Sequence, residues 1–340
     1  MPLERAVQTT GSHREVLMRR HTLATLVSAA AGMLAGLGGL HAQDSYPARN
    51  ITLIVPFSAG GTSDIIARLA AEQMGRVLGK TIVNENTAGA GGSTALSRAS
   101  TALPDGYTIA IGNSGTNAAS YIIYPDIKYK PEDFVPIGMV AKTLPVIAIR
   151  NDFPAKDLRE FIDYAKKNPG KINFGHAGVG SSNYLICRAF TKAAGIDVTL
   201  VSYRGAAPAM NELMGGQIDG VCDAAVSAAP AIEGGKIKGL VISSPTRLRT
   251  IPNVPTAAEA GLPEFQIQGW NALFAPKGTP EAIIAKLNAA LRTAVASEAF
   301  QKRMDELGAL PATGEELAPA YVQKLVPAEI EKFRGLLKDG

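Results

Sequence analysis

The chain has 340 residues, 46% of them apolar and 19% charged, with a formal net charge of +4 at pH 7. This balance excludes a disordered chain, and the length allows one large domain or two of ordinary size. Lysines and arginines are scattered without a basic run or interleaved aromatics, which argues against a nucleic-acid-binding surface.

The N-terminus reads as a targeting segment. Arg14, Arg19, Arg20 and His21 precede the apolar run LATLVSAAAGMLAGLGGL, which ends in LHA before the polar QDSYP. A basic region, an apolar region and a small residue at the cut make a secretory signal peptide over 1–42, cleaved after Ala42. Counting from Met18 gives about 25 residues, the usual length, so Met18 is a candidate start. The alternative is an uncleaved anchor, because the apolar stretch nearly reaches spanning length. The arginine pair raises the Tat route, but Thr22 fits poorly at the apolar position that should follow, which favours Sec. With no cysteine at the cut, lipid attachment is not expected. No later segment is a candidate membrane span, so the mature protein is expected to be exported and soluble.

The mature chain then alternates strand, small-residue loop and helix. ITLIV (51–55) leads through VPFSAGGTSD into a helix over 63–78. A strand over 80–86 is followed by AGAGGSTA and a helix, and a turn and then a strand within 104–112 by NSGTNAAS. Residues 135–150 read as extended and 157–170 as a helix with a Pro-Gly stop. Strand, loop and helix recur over 171–195, 198–217 and 218–235, and 238–244 is a further strand. After 270 the pattern turns helical: 279–297, 298–308 and 315–337. Such alternation argues for βαβ units with helices on both faces of a sheet. Five of the loops share one design, rich in Gly, Ser, Thr and Asn and opening a helix. Ligands of open α/β sheets bind beyond the carboxyl ends of the strands, where helix dipoles and free amides attract anions.

Catalytic and metal chemistry is scarce. Of four histidines, His13, His21 and His41 leave with the signal peptide, so only His176 survives and no histidine metal cluster is possible. No metal or cofactor is expected. GRVLGKT (75–81) is one residue short of a P-loop and ends a helix instead of opening one. GAGGST (89–94) lacks the third glycine of a dinucleotide fingerprint, and Asn113-Ser114-Gly115 misses the nucleophile elbow. His176 reads as a loop-packing or ligand-contacting group, with a Ser–His hydrolytic dyad as the competing reading. Cys187 and Cys222 either pair in an oxidising compartment or lie buried as small hydrophobes.

The loop VPFSAGGTSD has donors and no reactive pair, which suits binding. Gly60 and Gly61 let the backbone approach a ligand, Phe57 offers an apolar wall, and Thr62 and Ser63 can cap the helix or donate hydroxyls. Asp64 would repel an anion if it faced one; in the first helical turn it can instead accept from loop amides.

These stretches carry a resemblance. YPARNITLIVPFSAGGTSDIIAR, NENTAGAGGSTA, PDGYTIAIGNSGT, FGHAGVGSSNYL, VSYRGAAPAMNELMGGQID and the IPNVPTAAEAGLPEF–GWNALFAPKGTP stretch resemble, in order, the Bug family of periplasmic binding proteins of tripartite tricarboxylate transporters. The resemblance implies an α/β, type II-like, two-lobed binding protein, each lobe a mixed sheet flanked by helices, closing on a small carboxylate. It implies no enzymatic activity, a monomer, and membrane transporter subunits as partners. A sensor reporting to a membrane signalling protein would share fold and ligand. Lobe 1 would comprise 43–147 plus 270–340 and lobe 2 148–269, with crossings near Val146–Arg150 and Gln268–Ala272. The resemblance implies that backbone amides and waters of the first loop hold the carboxylate. By motif, Phe57, Ser58, Ala59, Gly60, Gly61 and Asp64 lie in that loop, Gly91 and Gly92 in the second, and Asn113, Ser114 and Thr116 in the third. On the other lobe stand Gly180, Ser181 and Ser182, then Tyr203, Arg204, Gly205 and Ala206, and Asp223. Arg204 neutralises a second carboxylate or bridges the lobes; Asp223 takes a ligand ammonium or supports its loop. Relatives carry an aromatic-Asp-Asn triplet where this chain has Cys222-Asp223-Ala224, which implies a smaller, less polar far pocket. Trp270, at the second crossing, packs the hinge or touches ligand.

Overall fold

The computed structural model describes residues 46–338, so the expected signal peptide lies outside the described residues. In β1 (Ile51–Val55), Ile51, Leu53, Ile54 and Val55 are all buried. A strand apolar on both faces belongs inside a sheet that helices cover on both sides. In α1 (Thr62–Leu78), Ile66, Ala67, Ala70, Ala71 and Met74 form one buried stripe at helical spacing. The unit repeats in β2 (Ile82–Asn86), α2 (Ser93–Ser100) and β3 (Thr108–Asn113), with β1 parallel to both other strands. After β3, where the sequence predicts only a loop, the chain makes a π-helical turn over Gly115–Ala119 and a short helix, α3 (Ser120–Ile123).

Two strands then carry the chain between sheets. β4 (Phe134–Thr143) lies in the first sheet and β5 (Pro145–Ile149) in the second, with Leu144 between them. The second sheet adds β6 (Asn173–His176), β7 (Thr199–Ser202), β8 (Gly220–Ala224) and β9 (Lys238–Ile242), in the order β7-β6-β8-β5-β9. Its helices are α4 (Leu158–Lys167), α5 (Ser182–Ala194), α6 (Ala206–Met214) and α7 (Ala225–Glu233). The chain returns in β10 (Gly269–Pro276), buried along its whole length and antiparallel to both β3 and β4. Sequence periodicity did not single this strand out, because it is buried on both faces and does not alternate. After α8 (Glu281–Ala296) and α9 (Glu298–Glu306), β11 (Leu310–Pro311) completes the first sheet, β11-β4-β10-β3-β1-β2. Both sheets are mixed: β5 runs antiparallel to β8 and β9 while β6 is parallel to β7 and β8.

The last helix, α10 (Pro319–Leu337), is a third link between the sheets that the two expected crossings omit. Its Val322 and Val326 line a pocket with Phe134 and Phe274 of the first sheet. About two turns on, Phe333 is part of the second sheet's apolar core, with Ile330, Leu336 and Leu337 packed beside it. Pro327 lies between the two contact regions.

The second core is built on aromatics. Phe161 stacks on Phe174 at 5.5 Å, Phe174 on Phe190 at 6.2 Å, and Phe190 meets Phe265 edge-on at 5.6 Å. Beside them Cys187 of α5 and Cys222 of β8 form a disulfide, with Cα atoms 5.3 Å apart. Of the two readings the sequence leaves open, pairing is the one realised, and both cysteines are also fully buried. Closing a loop of this length stabilises by about 2–4 kcal/mol. The double variant Cys187→Ala/Cys222→Ala is expected to lose that amount in urea unfolding, and reductant to bring the parent to the same curve. A midpoint unmoved by reductant would show that the bridge does not form in solution.

Candidate functional site

The helix-opening loops of the two sheets meet face to face. The first loop starts beyond β1 and ends at Gly61, which precedes α1 without any side-chain cap. Thr62 and Ser63 therefore do not cap the helix. Ser63 Oγ donates to Asn271 Oδ1 at 3.0 Å, and the Thr62 and Ser227 hydroxyls share a hydrogen bond of 2.8 Å between the two sheets' loops. The first-turn amides of α1 are thus left without a side-chain acceptor, an arrangement that favours an anion.

Asp64 holds the loop's shape. Its Oδ2 accepts from Gly60 N and Arg68 Nε, both at 2.9 Å, and its Oδ1 from Asn86 Nδ2 at 2.8 Å. Burial pushes this carboxyl up, but the bonds from Arg68, Gly60 and Asn86 outweigh it and hold the group below the ordinary carboxylate range. Its negative charge is therefore committed to loop and helix, not to a ligand.

The third loop is shaped in the same way. Asn113 Oδ1 accepts from Gly115 N at 2.9 Å and Thr116 N at 3.0 Å, while Asn113 Nδ2 donates to Ser63 Oγ at 3.2 Å. Asn113 and Thr116 are buried scaffold with their polar groups engaged. Gly92 lies under Thr116, Pro56 and Phe57, so first, second and third loops form one packed surface.

Across the seam the contacts are backbone-close. Ser58 N donates to Arg204 O at 3.2 Å. Ser114 and Ser182 hydroxyls lie 2.9 Å apart, and Gly115 N donates to Ser182 Oγ at 3.2 Å. Tyr124 OH donates to Val179 O at 2.7 Å and Ser120 Oγ to Gly180 O at 3.2 Å. Gly60 and Gly61 face Ala207 and Ala206, and Gly205 faces Ser58. Ser181 is spent on capping α5, accepting from Tyr184 N at 3.2 Å. Arg204 is exposed, and among the described residues its side chain makes no ion pair, so the expected bridge between lobes is carried by its carbonyl instead. With Gly91, Tyr124, Gly178, Val179 and Tyr203 it lines a cavity of about 300 Å³ at the seam's edge.

Several contributors carried no sequence signal: Asn271, Ser120, Tyr124, Val179 and Ser227. Each is an ordinary residue until the fold brings it to the seam. Buried and without a hydrogen-bond partner are Ser58 Oγ, inside the seam, and Trp270 Nε1. Trp270 is 4% exposed at the start of β10. Strand alternation turns it to the face opposite Asn271, which reaches the first loop.

Asp223, 2% exposed at the end of β8, accepts on Oδ1 from Asn183 Nδ2 and Ala224 N, both at 2.8 Å. Burial, opposed by bonds from Ser227, Ala224 and Asn183, pushes this carboxyl up to about 6. His176 is 1% exposed, and burial drives its imidazole down to about 4. Its Nδ1 accepts from Gly178 N at 3.1 Å, and Nε2 lies 3.3 Å from Ser202 Oγ. A neutral ring accepting at Nδ1 carries its proton on Nε2. It therefore donates to Ser202 and has no lone pair with which to deprotonate it, so this contact lacks the arrangement of a hydrolytic dyad.

Two mixed sheets joined by crossing strands, with donor-rich loops meeting between them, define a two-lobed solute-binding protein. A family model described as the tripartite tricarboxylate transporter family receptor matches residues 66–338, and the chain belongs to that family of periplasmic receptors. Solved structures agree in sequence and shape. MatC from Rhodopseudomonas palustris with bound malate is 40% identical with TM-score 0.83, over 86% of this chain and 100% of that one. The periplasmic binding protein BugD is 37% identical with TM-score 0.83, over 86% and 98%. A Rhodopseudomonas palustris protein with adipate is 31% identical with TM-score 0.82, over 86% and 97%. No helix among the described residues is long and apolar enough to cross a membrane.

Two tests follow from this geometry. A Cβ on Gly115 would overlap Ser182 N and the Ser181 carbonyl carbon across the seam, and the Gly115 backbone is one that alanine adopts freely. Gly115→Ala is expected to keep its circular dichroism spectrum but to bind ligand at least about tenfold more weakly, or about 1.4 kcal/mol. Small-angle scattering should show no compaction on ligand addition; full compaction would refute the wedge. The second test is of His176. Its folded-state value lies below the unfolded one, so the unfolded chain binds the extra proton between about 4 and 6.5. Its contribution, about 3 kcal/mol, is present above that window and lost as pH falls through it. Asp223 has the opposite slope, because its raised value lets the folded state hold a proton between 3.8 and about 6. Comparing the parent with His176→Asn isolates the imidazole: the parent should lose more stability than the variant between pH 7 and 4.5.

Proposed function

We propose that this protein captures a small carboxylate between its lobes in the periplasm and presents it, in the closed form, to the membrane subunits of a tripartite tricarboxylate transporter. The observation that carries the reading is the uncapped start of α1, held open by Asp64 from behind and facing the other lobe across the seam. Amides oriented in this way bind an anion without an arginine clamp. Relatives with bound malate and bound adipate, both dicarboxylates, support the ligand class. In this reading the chain is exported on a signal peptide cleaved after Ala42 and works as a monomer. The lobe boundaries lie at Leu144 and before Gly269, slightly earlier than the expected 147/148 and 269/270, because β5 (Pro145–Ile149) belongs to the second sheet and β10 (Gly269–Pro276) to the first. Ser58, Ala59, Gly60 and Gly61 form the hook, with Gly91, Gly92 and Ser114 beside it. Gly180, Ser182, Tyr203, Gly205, Ala206 and Asp223 face it from the second lobe. The closed state is populated because ligand bridges both lobes.

A thermal-shift screen of residues 43–340 against a panel of carboxylic acids tests this. An acid at a hundred times its Kd adds about 2.7 kcal/mol, several degrees for a chain of this size. One acid should shift the melt while its amide does not. No shift with any acid, on protein refolded free of ligand, would refute the carboxylate reading.

A further inference from the structure

Beside α10 lies a cavity of about 210 Å³ that shares no lining residue with the seam contacts described above. One wall is aromatic: Tyr121, Phe134 and Phe274 line it, and Phe134 meets Phe274 edge-on at 6.0 Å. Another wall is α10 itself, through Val322, Val326 and Pro327. Into this apolar setting the fold brings Asn117, which lines the cavity although it is only 2% exposed. Its Oδ1 accepts from Thr116 Oγ1 at 2.8 Å and lies so close to Gly112 that a Cβ there would overlap it. The amide nitrogen, Nδ2, is therefore the polar atom left for the cavity, and among the described residues it has no acceptor. The hydroxyl of Tyr121 is also buried without a partner. Leaving two such groups uncompensated is costly. Asn117 belongs to the π-helical turn Gly115–Ala119, and turns of this kind are frequent at functional sites.

The lining also sets the charge of an occupant. Glu132, exposed, is the one charged residue among those that line the cavity. An anion entering here would meet an acid and no cation, at a high desolvation cost. The size is that of a single ring: a dry cavity of about 150 Å³ holds benzene, and this one has space for a small polar group besides. We propose that the cavity is a second ligand site, separate from the interlobe seam, for a small uncharged ring compound bearing one carbonyl oxygen. The oxygen accepts from Asn117 Nδ2, and the ring packs between Phe274 and the valines of α10. Binding energy comes from the apolar ring and selectivity from the amide, because a site built to pair a polar group strongly rejects the analogue lacking it. The inference does not rest on the carboxylate reading, since its ligands carry no carboxylate.

The test is NMR of residues 43–340 with labelled valine methyls, titrated separately with benzamide, toluene and benzoate. Intermolecular NOEs from ring protons to the Val322 and Val326 methyls report contact in this cavity and not a distant change in closure. Benzamide should give these NOEs and bind saturably, with a Kd of about 1 mM or tighter. Toluene keeps the ring without the acceptor and should bind at least about tenfold more weakly. Benzoate should give no NOEs to these methyls. Val326→Phe fills the cavity and should abolish the benzamide NOE to Val322. Asn117→Asp keeps the acceptor for Thr116 but removes the donor, and should weaken benzamide at least about tenfold. Absence of benzamide NOEs in the parent overturns the proposal. So does toluene binding as tightly as benzamide, or benzoate giving the same NOEs; none of these three results depends on a variant that folds. A folded Val326→Phe that retains the Val322 NOE, or a folded Asn117→Asp that binds benzamide as the parent does, overturns it as well.

Discussion

The structure depends on how closely two backbones approach across the seam. Gly91 lies against the Val179 carbonyl and Gly115 against Ser182 N, with no space for a side chain at either. At Gly91 the backbone is also left-handed, φ 61°, so both conformation and space require glycine there. Where main chains touch, the amides and carbonyls of both lobes become the lining of the cleft. Their positions are then set by the sheets beneath them and not by flexible side chains. That is why the loops are built from Gly, Ser, Thr and Ala: larger residues would hold the lobes apart and bury the amides.

This constraint dictates where charge is placed. Asp64 could have spoiled an anion site, yet Arg68, Asn86 and the Gly60 amide consume its carboxylate on the side away from the seam. The same bonds lock the loop, so the charge organises the hook without opposing it. Arg204 is kept at the rim, exposed, while only its carbonyl enters the seam. Asp223, at the end of β8, is buried without a cation. The two acids are thus sorted by surroundings: one neutralised by a cation behind the loop, one held by neutral donors.

Much of this was legible in sequence and some was not. The loops that follow β1, β3, β6 and β8 could be recognised from small residues flanked by an apolar run and a helical pattern. Asp64 as a loop-bonding acid followed from its place in the first turn. The central strand β10 was not visible, because GWNALFAP is buried on both faces and shows no alternation. The network around Asn113 and Thr116 was not visible for a related reason. Composition identifies donors, but only the three-dimensional network shows that these donors are already engaged with Gly115, Ser63 and each other. Ser120, Tyr124 and Ser227 were invisible because pairing across a seam has no sequence period at all.

The third link changes how closure must work. With only the two strand crossings, one at Leu144 and the other leading into β10, the lobes would rotate about a two-point hinge. Helix α10 adds a stiff arm with Val322 and Val326 seated on one lobe and Phe333 inside the core of the other. Packed cores switch between discrete arrangements and do not deform continuously. Opening must therefore either slide Phe333 and its neighbours over the second lobe or bend the helix. Pro327, lying between the two anchor regions, already lacks one backbone hydrogen bond and is the cheapest place for such a bend. Ala118 and Ala119 of the π-helical turn also enter the second lobe's core, so the base of the cleft stays packed as its mouth moves. The mobile part of the cleft is then its outer seam, where single hydrogen bonds between hydroxyls and carbonyls break at little cost.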